Sequence, residues 1–579
     1  MGAACSRKRE SQIDGDGLRR AVSKKYGKSA SWKWLLYPSP HSSSVVSKGE
    51  GNRSPSLMEL CARRIREDIK MYRSFSMLPR DISQQIFNEL VESHCLMESS
   101  LEAFRDCALQ DIHLGECIGV KDSWMDCISS QGGSLLSLDI SCSDVTDIGL
   151  HLLRACTGLQ MLSFDSCEQI SDKGILLLSG LSNLTCLSLK RNNGITAEGM
   201  KTFTNLVNLE NLDLERCSRI HGGLIHLKGL TKLASLNIKC CNRISDVDMK
   251  VLSGLTNLKE LHLSFNKVTD DGVAHLKGLS KLTLLNLEGC PVTAACLESI
   301  AGLLALSYLN LCRCVISDDG CENLAKLVKL KTLNLGFNNI TDKCLAYLKG
   351  LVLLESLILD SCQVGDEGMA NLKGLVLLKT LDLSDTEVGS AGLNHLSGLF
   401  HLESLNLGFT LVTDGGLRKL SGLTSLKSLN LDVRQVTDAG VSSLTSLTGL
   451  THLDLFGARV TDLGMSYLRQ LKDLQSLEIC GGLITDAGVK NIQDLSSLTH
   501  LNLSQNSGLT DRTLQLISGL TGLVSLNLSG TRISNSGLGH LRPLKLLRSL
   551  HLDSCRVTVP EMKKLQLSAL PNLVSIRPE

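Results

Sequence analysis

The sequence predicts an α/β solenoid, one long curved parallel sheet backed by short helices, and three observations predict it. The first is length, since 579 residues exceed what one compact core accommodates and call for several domains or an extended repeat. The second is an L-x-L pair that returns every 24 or 25 residues. It stands at Leu138/Ile140, Leu162/Phe164, Leu187/Leu189, Leu212/Leu214, Leu236/Ile238 and Leu261/Leu263, then from Leu285 through Leu309, Leu333 and their successors to Leu550. The third is a switch of period inside each unit. L-x-L alternates as a strand does, whereas Leu345, Leu348 and Leu351 in "ITDKCLAYLKGL" recur at helical spacing. One strand and one short helix cannot bury an apolar face alone, but stacked neighbours can, and they curve because helices are wider than strands.

The chain opens on a basic leader. Residues 1–56 hold eleven Lys/Arg against four Asp/Glu, whereas the whole chain carries only +1, which gives no reason to expect nucleic acid as a partner. "MGAACSRKRE" fits the Met-Gly-x-x-x-Ser pattern for myristoylation at Gly2, with Cys5 placed for palmitoylation and Arg7, Lys8 and Arg9 following. Together these signals predict peripheral attachment to the inner face of the plasma membrane; the alternative is a disordered basic tail. No apolar stretch approaches the ~20 residues of a membrane span, and the secretory h-region is missing, so a cytoplasmic and reducing compartment is expected, with the nucleus also open. Residues 38–56 read as a Ser/Pro/Gly-rich linker.

Residues 57–105 form the next segment and read as helical. Leu57, Leu60, Ile65 and Ile69 make a rough apolar stripe, and in "MLPRDISQQIFNELV" (77–91) Pro79 starts a helix whose Ile82, Ile86 and Leu90 share one face. A helical cap over the apolar end of the solenoid is the plain physical reading.

From residue 106 to 579 the repeat takes over, with eighteen clear units between a weaker opener at Ile112/Leu114 and a truncated closer near Leu573/Ile576. At ~4.8 Å per strand the sheet should run roughly 85 Å. In many units a Thr/Ser-Asp pair such as Thr341-Asp342 sits where an N-cap belongs, with helices expected at Asp147, Asp172, Asp246, Asp270, Asp318, Asp414, Asp438, Asp462, Asp486 and Asp511. The third residue after the strand pair is small and able to hydrogen-bond: Cys at 167, 217, 241, 290, 314, 362 and 555, Asn at 192, 266, 338 and 506, Thr at 386, 410 and 531. A buried bend accounts for these cysteines. Among all 22 cysteines no C-x-x-C spacing occurs, so neither a metal site nor a disulfide framework is expected.

These motifs carry a resemblance. L-x-x-L-x-L-x-x-(N/C)-x-(I/V)-(T/S)-D-x-G-L-x-x-L is similar to the cysteine-containing class of leucine-rich repeat, which implies a right-handed α/β horseshoe of about 18 repeats. Residues 77–91 resemble the opening of an F-box. That resemblance implies that Leu78, Pro79, Ile82, Ile86 and Leu90 dock a Skp-type adaptor of a cullin ubiquitin ligase. The tryptophan expected soon afterwards is missing, and Trp124 fits the helix of the opening repeat better. The pairing of the two motifs implies a substrate receptor of an SCF-type ligase acting in protein degradation. The alternative is a membrane-anchored scaffold or signalling adaptor without a ligase role.

The residues expected to face a partner alternate with the strand leucines. Asn334 and its equivalents line the concave face. Two residues after each strand pair stand Phe265, Phe337 and Phe409, three repeats apart, with Arg191, Arg216 and Arg313 in the same column and Phe456 one residue earlier in its unit. Exposed rings on a polar concave face are candidate anchors for a protein. Asp385 takes the column later, with Asp360 and Asp432 one residue before it, so the face runs from basic to acidic. No catalytic or cofactor motif is present: "GKS" at 27–29 has Val22 where a phosphate loop needs its first glycine, and H-E-x-x-H and G-x-S-x-G are absent. A non-enzymatic chain without a cofactor is expected.

Overall fold

A computed structural model describes residues 57–577 apart from Glu116; the leader, including Gly2 and Cys5, lies outside the described residues. Twenty three-residue strands, from β1 (Asp111–His113) to β20 (Ser575–Arg577), join one parallel sheet among these residues. Each strand between the two ends pairs with the one before and the one after, leucine against leucine: Leu333 stands opposite Leu309 on one side and Leu357 on the other. The eighteen units, the opener and the closer all form the expected strand. The leucines merge into one continuous core in which Leu333, Leu335, Ile340, Leu345 and Leu348 are fully buried.

The backing helices are shorter than the sequence suggests. In the Leu333 unit one α-turn, Asp342–Leu345, is followed by a 3₁₀ turn, Leu348–Gly350. The leucine spacing of three explains this, because three residues per turn is the 3₁₀ period. Nine of the ten helix starts expected at aspartate are found, and the tenth is not. At Asp318 the chain turns through Gly320 (φ 88°), and a 3₁₀ helix begins only at Cys321. The preceding repeat has Ala294 where most units carry aspartate, so no carboxylate reaches forward to that turn.

Those aspartates do more than start helices. Thr341 caps its own helix by accepting from the Lys343 N–H, and it is itself held by the previous repeat. Asp318 Oδ1 accepts from the Thr341 N–H at 2.8 Å, and Oδ2 accepts from the hydroxyl at 2.7 Å. The same two-pronged bond joins Asp147 to Ser171, Asp438 to Thr461 and Asp462 to Thr485. It fixes the glycine of the D-x-G motif as well: a Cβ on Gly174, Gly464 or Gly488 would run into the carboxylate of Asp147, Asp438 or Asp462. Two departures preserve the link. Gly222 replaces the aspartate of its unit, and Asp248, in the next glycine place, reaches back to the Gly222 N–H at 2.8 Å and to His221 Nδ1. Thr513 also replaces the glycine, and its hydroxyl donates to Asp486 at 2.6 Å.

The ladder is as expected and equally directional. Cys217 Sγ donates to the Leu189 carbonyl of the preceding repeat at 3.0 Å, and Cys314 to Leu287 at 3.3 Å. Asn338 does the same to Leu311 at 2.8 Å. Thr410, which is shorter, reaches only its own Leu407 carbonyl.

Before the sheet lie α1 (Leu57–Glu67), α2 (Arg80–Glu92) and α3 (Glu98–Leu101). Ser83, Ile86, Phe87 and Leu90 of α2 are buried, with Phe87 edge-on to Phe104 and Phe75 tilted against the same ring. Gln84 completes the seal on the sheet edge: Oε1 accepts from the Gln110 and Asp111 N–H groups, and Nε2 donates to the Asp111 carbonyl. The segment therefore caps the solenoid, satisfying edge groups that would otherwise face outward.

Candidate functional site

Each strand ends in a bend built from its own side chains. The residue between the strand leucines accepts a hydrogen bond from the backbone two residues on: Asn334 Oδ1 from the Gly336 N–H at 3.0 Å, Asn310 from Cys312 and Asp454 from Phe456. The Asn/Asp column of the concave face is thus largely a turn-forming device. Asn334, expected as a partner contact, is half-buried with its side-chain oxygen committed to the turn. Gly336 is buried, and a Cβ there would collide with the Asp360 carboxylate.

The next column is held in a left-handed conformation. Arg191, Arg216, Phe265, Arg313, Phe337, Asp385 and Phe409 all have φ between 53° and 62°. Glycine fills the same column at 289, 457, 481 and 530, and it is the residue for which this conformation carries no steric cost. In the Phe456 unit Gly457 makes the bend, and the ring projects from the residue before it. Phe265, Phe337, Phe409 and Phe456 are all exposed, Phe409 most of all at 68%.

The rings are arranged rather than scattered. The Arg313 guanidinium lies 3.8 Å from the centre of the Phe337 ring in the following repeat, and Lys239 Nζ lies 5.8 Å from that of Phe265. The Phe265 ring also covers Gly289, where a Cβ would clash with it. Cation–ring pairing of this kind restrains both partners. Lys239 was not anticipated, although its place one residue before the bend, equivalent to that of Asp360, could have revealed it.

Charge along the face is mixed towards the N-terminus and acidic beyond Phe337. Towards the N-terminus Lys190 bridges to Asp213 at 3.2 Å; burial pulls its ammonium down, but Asp213 and Asp165 outweigh that and raise it. Asp165 is pushed up to about 6 by burial, against the pull of the Ser188 hydroxyl and Lys190. Burial, with help from Lys239, brings His262 down to about 4, so this concave histidine is neutral at pH 7. Beyond Phe337 the face turns acidic: burial and Asp382 push Asp360 up to about 6 against Arg313, and burial raises Asp454 to about 6.

Of the residues expected to dock an adaptor, Leu78 and Pro79 are exposed, Ile82 is half-buried, and Ile86 and Leu90 lie in the cap core. The ladder cysteines are thiols, since burial pushes Cys217, Cys314 and Cys362 up to about 12. Among the described residues no helix is long and apolar enough to cross a membrane.

Two family models, described as leucine rich repeat, match segments of this solenoid. One covers residues 231–292 and 472–533; the other covers 180–203, 326–348, 352–373, 398–421 and 447–468. No curated protein matches the sequence. Among solved structures, an internalin (InlF) from Listeria monocytogenes is 25% identical, with a TM-score of 0.45 over 58% of this chain and 89% of its own. A TLR13–ssRNA13 complex is 24% identical, with a TM-score of 0.47 over 81% and 70%. The functional domain of InlJ from Listeria monocytogenes, described as including a cysteine ladder, is 22% identical, with a TM-score of 0.42 over 63% and 76%. None of these superpositions reaches 0.5, so the assignment rests on the family models and on the repeat geometry. Domains of this family generally mediate protein–protein interaction. The chain carries leucine-rich repeats joined by a cysteine and asparagine ladder.

Proposed function

We propose that the chain is a non-catalytic recognition protein that binds a protein partner on its concave face, with Phe265, Phe337, Phe409 and Phe456 as anchors. The observation that carries this reading is the occupancy of the left-handed column. Glycine serves there in four repeats and smaller or polar residues such as Cys142, Ser166, Cys240 and Ser361 in others, yet the bulkier arginine or phenylalanine holds the position in six, at about 1 kcal/mol or more each. Side chains kept at such a cost on an exposed face are explained by what they touch. Arg191, Arg216 and Arg313 would meet the acidic part of the partner, and the Asp360–Asp454 side its basic part. Proteins captured from an extract by the wild-type chain should be lost with a Phe265→Gly/Phe337→Gly/Phe409→Gly variant of unchanged melting temperature; equal capture would dismiss the reading.

The finer reading, a substrate receptor of an SCF-type ubiquitin ligase, is supported by the F-box-like sequence at 77–91 and by the exposure of Leu78 and Pro79 beside the cap. A Skp-type adaptor would have to engage those two residues and the half-buried Ile82, or draw Ile86 and Leu90 out of the cap. Co-purification of such an adaptor, abolished by Leu78→Ala/Pro79→Ala, tests it. Absence of the adaptor leaves a scaffold or signalling adaptor, which acylation at Gly2 and Cys5 would hold at a membrane.

A further inference from the structure

One flank of the solenoid, where each 3₁₀ turn leads into the next strand, changes character in its middle. In most repeats the first residue after the turning leucine is polar: Ser182, Thr231, Thr256, Ser280, Thr424, Thr448. In the N-terminal repeats the residue after it is often asparagine, and it ties the flank together. Asn183 donates to the Thr157 carbonyl, Asn208 to Ser182 and Asn257 to Thr231. Five consecutive repeats abandon this pattern. Leu304, Val328, Val352, Val376 and Phe400 occupy the first position and are 50–61% exposed. Leu353 and Leu377 replace asparagine in the second and are also exposed. Equivalent positions of repeats held in register stand side by side, so these side chains form one continuous apolar stripe roughly 20 Å long.

The surroundings of the stripe are basic. Lys326, Lys329, Lys349 and Lys373 border it, all exposed, and none forms an ion pair among the described residues. The nearby carboxylates are already neutralised: Glu355 is bonded to both Lys331 and Lys379, and Glu403 to Lys427. Tyr347, exposed beside Lys343 and Lys349, adds a ring at the same border.

We propose that this flank rests on an anionic phospholipid surface. The five first-position side chains enter the boundary between headgroups and acyl chains, and the four lysines meet lipid phosphates. Apolar residues in a line, rather than in a groove, reach a flat surface together, and unpaired lysines around them select negative charge. A second copy of the chain packed stripe to stripe would bring lysines against lysines. This contact is separate from the concave face and does not depend on it.

The test uses full-length chain carrying Gly2→Ala, so that acylation contributes nothing, in sedimentation with vesicles of phosphatidylcholine alone or with phosphatidylserine added. The stripe variant Leu304→Ser/Val328→Thr/Val352→Thr/Val376→Thr/Phe400→Thr borrows residues found at the same position in neighbouring repeats and should keep its melting temperature. The expected result is binding to phosphatidylserine vesicles that falls at least tenfold in the stripe variant. It should fall similarly in Lys326→Ser/Lys349→Ser/Lys373→Ser, with little binding to phosphatidylcholine in any case. Three results would each overturn the proposal: no vesicle binding by the parent chain, equal binding by parent and stripe variant (leaving the basic leader as the binder), or a dimer in solution that the stripe variant dissolves. Loss of concave-face partners in the stripe variant would likewise assign the stripe to protein recognition instead.

Discussion

The guanidinium of Arg313 lies over the ring of Phe337 at 3.8 Å, and both residues hold left-handed backbone, at φ 55° each. Two bulky side chains in a conformation that favours glycine, stacked across neighbouring repeats, put an ordered cation and an ordered ring on the concave face. Ordering before binding reduces what a partner must restrict, which favours recognition here over the many columns whose side chains serve only the turns.

The backbone at this column makes an unusual stability order testable. Phe337→Ala loses the stack but keeps a Cβ in the left-handed region, whereas Phe337→Gly loses the stack and relieves the strain. The glycine variant should be the more stable by about 1 kcal/mol, the reverse of the order seen in helices. Chemical denaturation of the two variants measures it.

The inter-repeat aspartates should matter more than ordinary surface caps. Asp147→Ala removes two bonds to Ser171 and leaves its N–H short of a partner, a loss of about 2–3 kcal/mol. Gly174→Ala should lose about 1–3 kcal/mol by forcing its methyl into the Asp147 carboxylate. Thr513→Gly, which restores the common pattern beside Asp486, should lose less than either. Thermal unfolding of the three variants ranks them.

Asp360 carries a sign-defined pH effect. Its folded value is raised to about 6, chiefly by burial, so its ionised form opposes folding, and that penalty grows as pH rises from about 4 to about 6. Asp360→Asn should therefore stabilise the chain at pH 7 by about 1–2 kcal/mol, discounted for partial exposure, and change nothing below about pH 4. Urea denaturation at several pH values checks both halves.

The ladder cysteines should be silent towards alkylation. Cys217, Cys314 and Cys362 are buried and protonated, while Cys61 and Cys142 are exposed. Iodoacetamide on the native chain at pH 8 should label the latter pair and spare the former, with mass spectrometry as readout. Cys314→Ala should lose about 1 kcal/mol with its bond to the Leu287 carbonyl.

Much of the fold was legible because periodicity speaks for each strand twenty times over. Leu333, Leu335 and Asn338 have the roles their spacing assigns, and Ile86 and Leu90 of α2 are buried as their shared face allows. What lay hidden was whatever depends on the neighbouring repeat. Asp318 reads as a helix start, but its carboxylate serves Thr341, 23 residues on. Asn334 reads as a free polar contact, but its oxygen closes the bend. The left-handed column is invisible in a sequence where arginine and phenylalanine fill it. The apolar flank escaped because Leu353 and Leu377 look like further core leucines until the structure turns them outward.

The most direct test of concave-face recognition is quantitative affinity purification with wild-type chain and the Phe265→Gly/Phe337→Gly/Phe409→Gly variant, both shown to melt alike. The account predicts at least one protein retained by wild type and reduced tenfold or more by the variant. An unchanged set of retained proteins would contradict it.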